Sequence, residues 1–169
     1  FDRAAPLGTG HIKVGGNYAA GMYPADRAHA DGFASVLFLD ALEKKYIDEA
    51  GPANFFGIKN KTYITPHSKS ILPSITNMSL EQIAEDIGLK VERRRVAVDE
   101  LETFEEAGAC GTAAIISPIG KIFDRSTNKT IEYGDIAGPY STKLYITLRA
   151  IQEGEIEDSH NWTTVIEGV

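Results

Sequence analysis

Apolar and polar positions change period several times along this chain, and the changes mark out its elements. From Ser74 to Ile87, the positions Ile75, Leu80, Ile83, Ala84 and Ile87 recur at helical spacing, Gly88 supplies a stop, and Ser79 with Gln82 reads as an internal capping box. An Ala-rich stretch from Tyr18 to Ala30 predicts a helix interrupted near Pro24. Leu101, Phe104 and Ala107 share one side of a short helix over 99–107, and a closing helix is expected over 141–153. Shorter runs read as strands at 35–40, 45–48 and 91–98. Asn54 to Ile58 and Thr62 to Thr65 form a hairpin across Lys59-Asn60-Lys61. Ala113 to Ser117 is a brief apolar run, and Ile119 to Phe123 pairs with Lys129 to Tyr133 across the turn Ser126-Thr127-Asn128. Helices and strands interleave without an internal repeat, which predicts one α/β-type domain.

Composition changes this picture little. The 169 residues include 43% hydrophobic and 24% charged positions, ordinary values for a chain that buries roughly 68–70% of its unfolded surface. The net charge of −7 and the single basic run Arg93-Arg94-Arg95 argue against a nucleic-acid partner. Cys110 is the one cysteine, so no intrachain disulfide is possible, and no Cys/His spacing fits a zinc site. Without a long apolar run or a secretory signal pattern, a cytoplasmic protein away from the membrane is expected.

Candidate chemistry begins in a glycine-rich loop, Gly8-Thr9-Gly10-His11-Ile12-Lys13-Val14-Gly15-Gly16-Asn17-Tyr18. No Gly-Lys-Ser/Thr follows the gap that a Walker A loop needs, and Lys13 stands at the third glycine of the dinucleotide fingerprint, so both phosphate loops are excluded. Glycines after Lys13 let backbone approach a planar ligand and leave a lysine room to form an imine. Three later segments have compatible chemistry. Glu49 precedes small residues and the apolar run Asn54-Phe55-Phe56. Pro73-Ser74-Ile75-Thr76 opens the helix over 74–87, where free N–H groups and the helix dipole suit an anion. Cys110-Gly111-Thr112-Ala113 places a hydroxyl among small residues before a buried run. Taken singly, Lys13 is a surface lysine, Glu49 a loop carboxylate, Ser74 or Thr76 a helix cap, and the last segment tight sheet packing.

Together and in this order, these segments resemble the branched-chain amino acid aminotransferases of the class IV, fold-type IV pyridoxal-phosphate enzymes. The resemblance rests on Ile12-Lys13-Val14-Gly15-Gly16-Asn17-Tyr18 and on the three later segments, and it runs along nearly the whole chain. It implies an α/β fold of the α+β pseudo-barrel kind, a mixed sheet with interleaved helices. The expected domain is a cofactor-binding C-terminal domain over 1–169, without the family's small N-terminal domain. Lys13 is then the catalytic residue, bound to the aldehyde of pyridoxal 5′-phosphate and later shuttling the substrate proton. Tyr18 contacts the phenolic oxygen and Glu49 the pyridine nitrogen, whose protonation makes the ring an electron sink. Ile75, Thr76 and Thr112 receive the phosphate, and Thr112 with Ala113 holds the substrate carboxylate. Two positions depart from the family pattern: Ser74 stands where glycine is usual and Asn77 where arginine is common.

The activity so implied is transamination of Leu, Ile and Val with 2-oxoglutarate, in a homodimer of the full-length protein, with small-molecule amino and 2-oxo acids as partners and no metal. D-amino acid aminotransferases and aminodeoxychorismate lyases share the Lys and Glu chemistry and are the alternative within the enzyme class. From another class, the chain reads as an isolated domain without turnover. Cys110 is expected to be a buried bystander, Asn54 structural and Trp162 a packing residue. His29, His67 and His160 are surface or loop histidines, and His11 is placed to line a site mouth.

Overall fold

Adjacent phenylalanines at the centre of the chain set its layering. A computed structural model describes residues 1–166, and in it Phe55 and Phe56 are both 0% exposed yet belong to different cores. They sit on strand β3 (Ala53–Lys59), where successive side chains leave on opposite faces. Phe56 packs with Tyr63, Leu80, Ile83, Leu144 and Leu148 beneath two helices, α2 (Ile75–Asp86) and α3 (Pro139–Glu153). Phe55 packs with Ile47, Ile64, Val96, Leu101 and Phe104 on the other face. Each buried aromatic contributes on the order of 1.5–3 kcal/mol from removal of apolar surface alone.

Seven strands make the main sheet: β1 (Leu37–Leu39), β2 (Ile47–Ala50), β3, β4 (Thr62–Pro66), β5 (Lys90–Arg94), β6 (Glu106–Gly111) and β7 (Ile115–Pro118). All pairings are antiparallel except β4 with β5, which α2 joins as a crossover. The predicted hairpin is present, with Asn60 and Lys61 at positive φ in its turn. A separate ribbon of β8 (Lys121–Asp124) and β9 (Lys129–Glu132) follows. Helix α1 (Gly15–Ala30) lies against β1 and buries only Asn17 and Pro24. Among the described residues no helix is long and apolar enough to cross a membrane.

Several boundaries differ from the sequence pattern. Helix α1 starts at Gly15 and runs unbroken through Pro24, whose buried ring offsets part of the cost of its missing N–H. The helix expected over 99–107 is a 3-10 helix over Val98–Thr103, and Glu106 already begins β6. Pairing overrides the local pattern there: Asn54 to Ile58 pair with Cys110 to Glu106, and Gly108 brings its backbone against the Phe56 ring, where a Cβ would collide with Cζ. The strand expected over 91–98 ends at Arg94, because its partner ends at Pro66. Strand β2 is displaced toward Glu49 and Ala50, with Tyr46 left as a single bridge to Ala97. The start of α2 is capped by Ser74, which accepts from the Asn77 N–H at 3.2 Å, and not by the Ser79/Gln82 pair.

Candidate active site

Helix α1, strand β1, the end of β2 and the N-terminal loop enclose a pocket of about 380 Å³, within the roughly 300–1,000 Å³ range of small-ligand sites. Its wall includes Tyr18, Met22, His29, Phe38, Glu49 and Leu72. Asn17 builds the entrance: its amide donates to the carbonyls of Thr9 and Ile12, both at 2.8 Å, tying the glycine-rich loop to the first turn of α1. Lys13 lies between Ile12 and Asn17, two wall residues, and is exposed. Tyr18 is 43% exposed on that first turn. At Gly15 and Gly16 an added Cβ would meet no protein atom within 4 Å, and neither has positive φ. The fold itself does not require glycine at either position.

Glu49 is no loop carboxylate. It lies in β2, 5% exposed, and its Oε1 accepts from the Leu72 N–H at 2.9 Å. Burial pushes its pKa up, and the Arg3 guanidinium and the Leu72 N–H pull it back. Its neighbour Asp48 is buried too, but accepts from Ser68 Oγ at 3.0 Å and takes no part in the pocket wall. Arg3 does line the pocket, with Nε 3.3 Å from Glu49 Oε2, and no local pattern marks it because the pair spans the glycine-rich loop, α1 and two strands.

The remaining candidates lie outside the walls of this pocket but at the same end of the sheet. Leu72 connects them. Its N–H serves Glu49 and its carbonyl accepts from Asn54 Nδ2 at 3.0 Å, so the segment leading into α2 is pinned beside β2 and β3. Ile75 and Thr76 are the first two residues of that helix, and Ser74 takes the N–H of the third, so theirs are the N–H groups left free by helix geometry. Ile75 is 74% exposed and borders a second cavity with Met78, Leu148, Ile151 and Trp162. Thr112 and Ala113 are exposed in the turn between β6 and β7. Because Asn54 pairs with Cys110 and Glu49 with Asn54, this turn emerges at the β2–β3 end of the sheet. Ile115 closes the turn at φ 59° while its side chain is buried. A β-branched residue in the left-handed region costs on the order of 1–3 kcal/mol, so the core holds the turn in a strained shape.

Other side chains fall into structural roles. Burial pushes the Cys110 thiol up to about 12, which removes it as a nucleophile. Asn54 is structural through Leu72. His11 is exposed outside the pocket wall, and His29 is the histidine that lines it. Trp162 stacks on His160 at 4.4 Å, and His160 Nε2 lies 2.7 Å from Asp86 Oδ2, fastening the tail to α2.

Comparison with known proteins places this geometry. A curated relative from Haemophilus influenzae, a branched-chain-amino-acid aminotransferase, is 45% identical over 99% of this chain and 51% of its own length. One of the same name from Helicobacter pylori is 49% identical over 96% of this chain and 47% of its own. The chain thus spans about half the length of the curated relatives it matches. Among solved structures, a T.th. branched-chain amino acid aminotransferase in complex with N-(5′-phosphopyridoxyl)-L-glutamate superposes with a TM-score of 0.84 at 29% identity, over 96% of this chain and 53% of that one. The Escherichia coli enzyme gives 0.83 at 28% identity, with the same shares. The sequence model of the family described as amino-transferase class IV matches residues 4–122, and this chain belongs to that family.

Proposed function

We propose that this chain is the cofactor-binding portion of a pyridoxal 5′-phosphate-dependent aminotransferase that moves the amino group of Leu, Ile or Val to 2-oxoglutarate. The observation that carries the reading is Glu49: a buried carboxylate, paired with a guanidinium, on the wall of a pocket that Tyr18 shares and that Ile12, next to Lys13 in the chain, also lines. Open space over Gly15 and Gly16 also suits a flat ligand that a Cβ would obstruct. The names of the relatives support the substrate class.

When bound, the cofactor supplies an electron sink for the carbanion at the substrate α-carbon. The chain's residues do the rest. Lys13 Nζ would anchor the cofactor covalently and, when free, would take the proton from the substrate α-carbon. Glu49, as an anion, would hold the ring nitrogen protonated, and the Tyr18 hydroxyl would serve the phenolic oxygen. Ile75 and Thr76 offer N–H groups at a helix N-terminus to the phosphate, joined by Thr112. Thr112 and Ala113 hold the substrate carboxylate from their strained turn. A homodimeric, cytoplasmic holoenzyme, with this chain as its C-terminal domain beside a smaller N-terminal one, completes the proposal.

The test is visible absorbance of the protein mixed with pyridoxal phosphate, followed by borohydride reduction and peptide mass mapping. A reduced adduct on Lys13, absent in Lys13→Ala, is the expected result. Colour and reduction that persist in Lys13→Ala would overturn the assignment. Bleaching by leucine supports the branched-chain reading, bleaching by D-alanine favours a D-amino acid aminotransferase, and an adduct that neither amino acid bleaches marks cofactor binding without turnover.

A further inference from the structure

Arg3 has no role in the reaction as described, yet it is 8% exposed, lines the pocket and sits 3.3 Å from the Glu49 carboxylate. It also lies just ahead of the segment, 4–122, that carries the family match. Exposed ion pairs contribute little, but this one is withdrawn from water, where a charge without a partner is costly.

The surroundings fix the guanidinium firmly. Arg3 Nη2 donates to the Ser70 carbonyl. Ser70 is in turn held by its own N–H to Ser68 Oγ at 3.1 Å and by the backbone of Gly10, where a Cβ would collide with the Ser70 oxygen. The carbonyl that receives the guanidinium is thus itself held in place. Toward Glu49, Arg3 Nε is 3.3 Å from Oε2 but lacks hydrogen-bond geometry; among the described residues it is the one buried side-chain N or O atom without a hydrogen-bond partner. The contact is therefore one of charge. Oε1 is occupied by the Leu72 N–H, whereas among the described residues no donor makes a hydrogen bond to Oε2, which keeps its lone pairs for a donor in the pocket.

We propose that Arg3 is a positioning residue for the cofactor ring, holding the Glu49 carboxylate charged and in place so that Oε2 accepts from the ring nitrogen. The inference rests on the reading of Glu49 given above. Its physical logic is that a carboxyl buried as Glu49 is drifts toward the neutral form, and a neutral carboxyl cannot favour a protonated ring. Arg3 opposes that drift with a fixed charge delivered through Glu49.

Arg3→Met, Arg3→Lys, Glu49→Gln and the Arg3→Met/Glu49→Gln double variant separate the outcomes. In the cofactor-free protein, 13C-carboxylate NMR follows the Glu49 titration. Its midpoint should rise in Arg3→Met and return toward the native value in Arg3→Lys, whereas an unchanged midpoint in Arg3→Met overturns the proposal. With pyridoxal phosphate, Arg3→Met should weaken retention by roughly tenfold or more, the scale of a lost charge-assisted hydrogen bond, and should add no further loss to Glu49→Gln. An equal loss in both backgrounds would mean that Arg3 merely shapes the loop. Should Arg3→Met fail to fold, Arg3→Lys against Glu49→Gln carries the test: native titration and near-native retention in the lysine variant support the charge role, and failure of both refutes it. Absence of any Lys13 adduct in the unaltered protein would sink the proposed function while leaving the NMR coupling of Arg3 and Glu49 readable by itself.

Discussion

Replacing Asn77 by Ala tests whether the start of α2 is held by a buried polar hub. The Asn77 side chain accepts from the Tyr63 hydroxyl at 2.7 Å and donates to Thr65 Oγ1 and Glu81 Oε1, both at 3.1 Å, with Asn77 itself 1% exposed. The alanine variant keeps the cap, because Ser74 accepts from the backbone N–H of position 77 and not from the side chain. It strands the Tyr63 hydroxyl, which is fully buried. The stranded donor costs about 1–3 kcal/mol and each of the two other lost bonds about 1 kcal/mol net, so a total loss of about 3–5 kcal/mol is expected. Urea denaturation of Asn77→Ala, Tyr63→Phe and the double variant gives the coupling energy directly. Because Tyr63→Phe removes the orphaned donor, the double variant should be less destabilised than the sum of the singles by at least about 1 kcal/mol. A coupling below about 0.5 kcal/mol, within the scatter of independent sites, would refute the hub. The same network engages the side chain at position 77 in three short contacts, to Tyr63, Thr65 and Glu81.

Three further outcomes follow. Gly15→Ala and Gly16→Ala should leave thermal stability unchanged or raised, by up to about 1 kcal/mol, since no neighbour obstructs a Cβ, yet both should reduce the Lys13 adduct measured after borohydride; a full adduct in both would refute the ligand cradle. Gly10→Ala should lower both the melting temperature and cofactor retention, because its Cβ would overlap the Ser70 carbonyl; native behaviour in both measurements would show that the loop yields easily. The hydrogen bond from Arg94, helped by the Ala97 N–H and Lys59 and opposed by partial burial, holds the Glu100 carboxyl down at about 2 against an ordinary 4.5. A depressed acid stabilises the fold above its unfolded value and loses that contribution as pH falls toward the folded one, so Glu100→Gln should flatten the stability profile between about 4.5 and about 2; an unaltered slope in urea melts would contradict the pairing.

What the sequence revealed was local. The β3–β4 hairpin and α2 were legible because their periods and turn residues are self-contained. Lys13, Tyr18 and Glu49 were singled out through a resemblance in order along the chain, which supplied what spacing alone did not; the structure sets Tyr18 and Glu49 on one pocket wall. Strand β6 was hidden: Glu105 and Glu106 look like a continuation of the preceding helix, and Gly108 carries no side chain to mark a face. Its identity depends on a ring from β3 lying over that glycine. Arg3 was invisible for a related reason, since its partners Glu49 and Ser70 are brought to it by the sheet and by the Gly10 contact. Periodicity records which face of an element is apolar, but not which distant residue supplies a charge.

The pairing of β3 with β6 has a kinetic consequence. It is the register that joins residues 54–58 to 106–110, and the loop to be closed costs entropy before any of its contacts form. The Glu49 side of the sheet can begin to assemble through the neighbouring hairpins, but the turn bearing Thr112 and Ala113 reaches the same end only when β6 docks. Substitutions that slow this docking, at Gly57 or Gly108 for instance, should delay the appearance of a competent site more than they delay the hairpins, so refolding followed by cofactor capture should lag behind refolding followed by β-structure.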